Sequence, residues 1–228
     1  MCAILGFTSP SLKKEQVLPY FEKTKSRGPD DTRLEPAGSG MLGFHRLAIM
    51  GLHPEGMQPF HRGGDMAVCN GELYGFRPVK KALEAKGYVF ASDSDCEIIL
   101  PLWQEYGTEM FAGLDAEFAM IIYDSASDSL VAARDPIGIR PLFYGYLADG
   151  SIIFASEAKN LAGLCAHVFP FPPGHYYKDG KFVRYTDLTT VTRYSSDDLD
   201  TVTKKIREKL ISAVEKRLDA DAPLGFLL

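Results

Sequence analysis

The apolar positions of the chain fall into many short runs separated by clusters of turn-forming residues. Residues 2–8 form an apolar run that reads as a buried strand. Residues 12–25 place Leu12, Val17, Leu18 and Phe21 among charges, the spacing of a helix, with Pro19 near its start or kinking it. It stops at Ser26-Arg27-Gly28-Pro29-Asp30-Asp31, which is dense in turn chemistry. Residues 41–50 predict a second buried strand ending at Gly51. Residues 66–69 predict a short strand running into Asn70-Gly71, a dipeptide that tolerates positive φ and predicts a sharp turn; a plain hairpin would account for it. A helix follows over 76–86, with Phe76, Val79 and Leu83 on one face and Gly87 closing it. Ser92-Asp93-Ser94-Asp95 offers N-cap side chains to a helix over 96–106, so capping alone would explain Asp93 and Asp95. Residues 117–124 and 129–134 predict an antiparallel hairpin, and 142–146 with 152–156 predict another. Short strands at 168–169, 175–177 and 182–185 continue the rhythm, the last two around the turn Lys178-Asp179-Gly180-Lys181.

After Thr190 the character changes. Ser195-Ser196-Asp197-Asp198 is an N-cap cluster, and a long helix follows with Leu199, Val202, Ile206, Leu210, Val214 and Leu218 on one face, ending near Asp219. The apolar run 223–228 reads as a buried strand whose sequel lies beyond it. This predicts a domain over 1–190, then a linker helix and first strand of a second domain over 191–228. Paired short strands with a few helices between them argue an α+β fold built on antiparallel sheets.

The 228 residues suit one large domain, or one domain with a piece of a second. A net charge of −5 gives no electrostatic case for nucleic acid or an anionic membrane as partner. No apolar run reaches the roughly 18 residues a membrane span needs, and the N-terminus lacks a signal-peptide pattern. The four cysteines, Cys2, Cys69, Cys96 and Cys165, show no C-x-x-C spacing, and the five histidines are scattered, so no metal is expected. Unpatterned cysteines fit a reducing cytosol, hence a cytoplasmic protein.

One cysteine stands apart. If Met1 is removed, Cys2 carries a thiol and a free α-amine on the same residue. Their reference pKa values, about 8.5 and about 7.7–8.0, let a proton pass between them near neutral pH, so the amine can act as base for its own side chain. Position alone also allows a small buried hydrophobe.

Several motifs occur in one order: Met1-Cys2, Arg27-Gly28-Pro29-Asp30, Arg46-Leu47-Ala48-Ile49, Gln58-Pro59, Asn70-Gly71-Glu72-Leu73-Tyr74, Ser94-Asp95-Cys96-Glu97, Arg134-Asp135-Pro136-Ile137-Gly138-Ile139-Arg140-Pro141-Leu142, Ala155-Ser156-Glu157 and Phe171-Pro172-Pro173-Gly174-His175-Tyr176. In that order they resemble class II glutamine amidotransferase domains, nearest to the glutaminase domain of glutamine-dependent asparagine synthetases. The resemblance covers essentially the whole chain. The end, Ala222-Pro223-Leu224-Gly225-Phe226-Leu227-Leu228, resembles the strand leading into the pyrophosphate loop of that family's synthetase domain. One departure is Ser26, where the family commonly has histidine before the R-G-P-D turn.

The resemblance implies an N-terminal-nucleophile hydrolase fold, an αββα sandwich of two antiparallel sheets with flanking helices. It implies hydrolysis of the side-chain amide of L-glutamine to glutamate and ammonia through a Cys2 thioester, with Met1 removed. The ammonia would go to an ATP-dependent conversion of aspartate to asparagine. Asn70 and Gly71 match the oxyanion hole, Arg46 the clamp on the glutamine α-carboxylate, and Asp95, helped by Glu72, the acceptor for its α-ammonium. Arg27 would support the loops around the nucleophile. No cofactor is implied in these residues; ATP and Mg would belong to the synthetase domain of the same polypeptide, and a homodimer is compatible with the family. Other readings are the glutaminase domain of another class II amidotransferase, a non-catalytic glutamine-sensing module, and a hydrolase pairing Cys69 or Cys96 with His45.

Overall fold

The computed structural model describes residues 1–226. Among the described residues, twelve strands form two six-stranded antiparallel sheets that pack face to face. The first sheet contains β1 (Ala3–Thr8), β2 (Asp31–Ala37), β3 (Gly40–Arg46), β8 (Phe143–Tyr146), β9 (Ile152–Ala155) and β10 (Val168–Pro170), in the order β10-β8-β9-β1-β3-β2. The second contains β4 (Phe60–Arg62), β5 (Asp65–Leu73), β6 (Ala116–Asp124), β7 (Ser129–Arg134), β11 (His175–Lys178) and β12 (Lys181–Arg184), in the order β12-β11-β7-β6-β5-β4.

Alternation along each strand divides the core into three parts. Ile4, Leu42, Phe44, Val68, Ile121 and Phe154 meet between the sheets. On the far side of the first sheet, Leu5 and Phe7 pack on Val17 and Phe21 of α1 (Lys14–Phe21). On the far side of the second, Cys69, Phe118 and Met120 pack on Leu83 of α2 (Phe76–Ala85) and on Ile99 and Leu102 of α3 (Ile99–Tyr106). Sheets inside and helices outside make the expected sandwich. A single helical turn, α4 (Met110–Gly113), precedes β6.

The structure revises several expectations from the chain pattern. The helix near the N-terminus is α1 followed by a tighter 3-10 segment, Glu22–Arg27, with Pro19 inside α1. The second buried strand ends at Arg46, short of residue 50. Asn70-Gly71 is not a turn: both residues lie inside β5, opposite Ala119 and Phe118 of β6. Asp95 does not cap a helix; it opens a 3-10 turn, Asp95–Ile98, ahead of α3. Beyond β12 the chain is irregular until α5 (Leu199–Lys216), whose N-cap Asp198 accepts from Thr201 N. The strand expected over 223–228 does not form over 223–226, where Leu224 and Phe226 are exposed; residues 227 and 228 lie outside the described residues. Among the described residues no helix is long and apolar enough to cross a membrane.

Candidate active site

β1 lies between β9 and β3, with Ala3 opposite His45, so Cys2 sits beside the exit of β3. The Leu47 N–H donates to Cys2 Sγ at 3.3 Å, and Sγ lies 3.5 Å from the Leu47 carbonyl. Burial pushes the thiol up from its ordinary value, and the bond to the Leu47 backbone opposes that. Met1 is attached, so the Cys2 nitrogen is an amide; the amine one residue away is held low by burial. Arg27 braces this end of the strand: its Nε donates to the Cys2 carbonyl at 3.0 Å and its Nη1 pairs with Glu157 at 2.9 Å.

Cys2 lines a small cavity, about 40 Å³, together with Arg46, Asn70, Glu72 and Asp95. The edge of β5 explains how three of these come together. Phe118, opposite Gly71, turns its N–H and C=O to Asp135 on the far side of β6. Its pairing with Gly71 is therefore of the non-hydrogen-bonded kind, and the Gly71 N–H points out of the sheet. Its neighbours along this edge are occupied. Gln58 takes both backbone groups of Cys69, accepting at 2.6 Å and donating at 3.2 Å. Asp95 Oδ2 accepts from Leu73 N at 2.7 Å. Gly71 is left facing the cavity, and a Cβ there would come within 2.5 Å of the Glu117 carbonyl, which only glycine avoids. Asn70 is 1% exposed, and its Nδ2 is buried with no protein partner among the described residues.

Arg46 is buried and oriented by backbone: Nη2 donates to the Gly51 carbonyl at 2.5 Å and Nη1 to the His53 carbonyl at 3.0 Å. Gly51 adopts φ +57°, the left-handed region. Asp95 is 5% exposed, and burial raises its carboxyl to about 6 despite the N–H groups of Leu73 and Cys96.

Two contributors, Arg140 and Gln58, are not among the residues to which the sequence assigns a chemical role. Glu72 and Glu117 face each other across β5 and β6, and Arg140 Nη2 bridges them at 3.2 and 2.6 Å. Burial raises the Glu72 carboxyl and the Arg140 charge holds it back. Arg140 is itself placed by Asp135, which accepts from the backbone N–H groups of Ile137, Ile139 and Arg140. Gln58 is the other. Both residues stand in motifs of the resemblance, which was the available signal. His45 is remote from this chemistry: it hydrogen-bonds Thr32 and the Phe21 carbonyl and stacks on the Phe21 ring at 3.8 Å. That leaves the Cys–His hydrolase reading without its base. Among the described residues no three His, Cys, Asp or Glu side chains converge as metal ligands would.

The family model for the glutamine amidotransferase domain matches residues 1–176. A probable glutamine-hydrolysing asparagine synthetase of Dictyostelium discoideum is 35% identical over 241 residues, covering 100% of this chain and 43% of the relative. The glutamine-hydrolysing asparagine synthetase of Sandersonia aurantiaca is 37% identical over 232 residues, covering 99% of this chain and 43% of that one. The chain thus spans less than half the length of these curated relatives. Among solved structures, glutamine phosphoribosylpyrophosphate amidotransferase from B. subtilis, complexed with ADP and GMP, superposes with a TM-score of 0.67 at 21% identity, over 81% of this chain and 49% of that one. The allosteric regulatory enzyme of purine biosynthesis superposes with a TM-score of 0.66 at 21% identity, over 84% and 50%. These two likenesses speak to the fold.

Proposed function

From the chain's place in the glutamine amidotransferase domain family, to which it belongs, we propose that this cavity binds L-glutamine and hydrolyses its side-chain amide. The observation that carries the reading is the convergence of Cys2, an unpartnered Asn70 amide, an outward Gly71 N–H, a cation and a buried carboxylate on one cavity. In the mature chain, with Met1 removed, the Cys2 α-amine takes the thiol proton as Sγ attacks the amide carbon. Asn70 Nδ2 and Gly71 N–H donate to the oxygen that becomes negative. The amine returns the proton to the departing nitrogen, ammonia leaves, and water hydrolyses the thioester to glutamate. Arg46 holds the α-carboxylate, and Asp95 with Glu72 accepts the α-ammonium.

The longer relatives support a second step: the ammonia passes to a synthetase domain on the same polypeptide, which uses ATP and Mg to make asparagine from aspartate, in the cytoplasm. Residues 191–228 would lead into that domain. The direct test is release of ammonia and glutamate from glutamine in equal amounts, with a glutamine-derived electrophile labelling Cys2. Labelling of Cys69, Cys96 or Cys165 instead, or glutamine binding with no turnover, would overturn the reading; the latter is the behaviour of a sensing module.

The state of Asp95 sets a pH limit. Ammonium capture needs the carboxylate, and the ionised fraction falls as pH drops through about 6. Glutamine kcat/KM should therefore lose about tenfold per pH unit below that point. Asp95→Asn should remove this component of the acid limb, leaving that of the Cys2 α-amine, and lower kcat/KM by about 10²-fold. Stability moves the other way. A carboxyl whose folded pKa is raised loses stability as pH climbs from its ordinary value towards about 6. At pH 7 the asparagine variant should be more stable by about 1 kcal/mol, a Tm rise of roughly 2–4 °C. Thermal unfolding beside a pH–rate profile checks both.

A further inference from the structure

The loop that orients Arg46 is held from outside the sandwich. The carbonyls of Gly51 and His53 receive the two ends of the Arg46 guanidinium. Gly51 in turn donates its N–H to Asp221 Oδ2 at 2.8 Å, 170 residues further along the chain. The backbone N–H groups of Asp221 and Ala222 both donate to the Ile49 carbonyl, at 3.1 and 3.0 Å. The segment bearing Asp221 is itself pinned against the sandwich: Lys216 pairs with Asp115, the Arg217 guanidinium lies 4.7 Å over the Tyr74 ring, and Arg77 pairs with Asp219.

We propose that Asp221 is a positioning residue for the glutamine carboxylate clamp, acting through Gly51 on Arg46, and that the segment after α5 thereby tunes glutamine affinity. The inference rests on the reading of Arg46 as that clamp. The physical case is short. Gly51 sits in a left-handed conformation with its N–H turned away from its own loop, and the Asp221 carboxylate accepts that N–H. The Gly51 carbonyl, one residue's geometry away, fixes Arg46 Nη2. There is no slack on the far side: a Cβ at Gly56 would meet the Gly51 carbonyl at 2.3 Å and Arg46 Nη2 at 2.8 Å. Loss of the Asp221 bond frees Gly51 to rotate and spreads the donors of Arg46 over more than one arrangement. That weakens capture of the substrate and leaves the bond-breaking groups, Cys2, Asn70 and Gly71, where they are. Coupling of this kind is reciprocal: if the segment favours the clamp, bound glutamine favours the docked segment.

The test uses the full chain and three variants. Asp221→Ala should raise KM for glutamine about 3–10-fold, the worth of one hydrogen bond, with kcat within twofold. Asp221→Asn keeps an oxygen acceptor and should restore KM. Amide hydrogen exchange at Gly51 should speed up in Asp221→Ala, and in the unaltered protein glutamine should slow it. An unchanged KM in Asp221→Ala, or an asparagine variant as impaired as the alanine one, overturns the proposal. Arg46→Ala keeps the two ideas apart. If it raises KM by 100-fold or more while Asp221→Ala does nothing, the clamp stands and the relay fails; if it leaves KM unchanged, the clamp itself is wrong.

Discussion

Replacing Cys2 with alanine should lower glutamine hydrolysis by about 10⁴-fold or more, the scale seen when a covalent nucleophile is removed. The fold should be almost indifferent. Cys2 is only partly buried, its side chain makes weak sulfur contacts with the Leu47 backbone, and the brace from Arg27 goes to the Cys2 carbonyl, which alanine retains. Tm should stay within about 2 °C. A companion experiment separates the sulfur from its base. A chain bearing an uncleaved residue before Cys2 keeps the thiol and loses the free amine, as in the arrangement with Met1 attached. Burial there holds the thiol up, so little thiolate forms at neutral pH. Its rate should fall towards that of Cys2→Ala, and full speed with the nitrogen capped would contradict an amine that deprotonates its own side chain. Intact-mass measurement tells which chains have lost Met1.

What the chain pattern could and could not foretell follows from where each signal sits. The hairpins β6–β7 and β8–β9 were legible because apolar runs flank clear turn residues. β2 was missed: Asp31–Ala37 carries Pro36, interrupts its own alternation, and survives as a strand because it lies at a sheet edge. Asn70-Gly71 misled because the dipeptide has turn propensity, while pairing with β6 overrides it. Glycine is required there by the approach of the Glu117 carbonyl, not by positive φ. The apolar face of α5 was correctly periodic, yet Ile206 and Leu210 are 62% and 64% exposed. Periodicity marks which face wants cover and says nothing of what covers it.

The site divides the same way. Cys2, Arg46, Asn70, Gly71, Glu72 and Asp95 were recognisable by motif, and all line one cavity although the chain spreads them over more than ninety positions. No local pattern reveals that convergence; the sheet register does. Asp95 had a sufficient local explanation as a cap, but it lies inside the 3-10 turn, one residue past the N-cap position at Ser94, and its carboxylate accepts from Leu73 N instead. Arg140 and Gln58 stand in the motifs too, but their work is long-range, bridging two facing glutamates in one case and standing in for a missing neighbouring strand in the other. Arg27 carries no such signal outside its motif; its contact with the Cys2 carbonyl places it directly behind Cys2.

Asn70→Ala should cut kcat by about 10²–10³-fold, the measured scale for one oxyanion donor, with KM for glutamine changed by less than about threefold. If Asn70 is such a donor, it acts where charge develops, so its loss falls on the transition state and not on substrate capture, which the proposal assigns to Arg46, Glu72 and Asp95. Asn70→Asp should be worse still, because it sets a carboxylate where a negative oxygen must form. Steady-state kinetics of Asn70→Ala check this split: a KM raised as far as kcat is lowered would mean that Asn70 acts in capture, and the donor reading would fall with it.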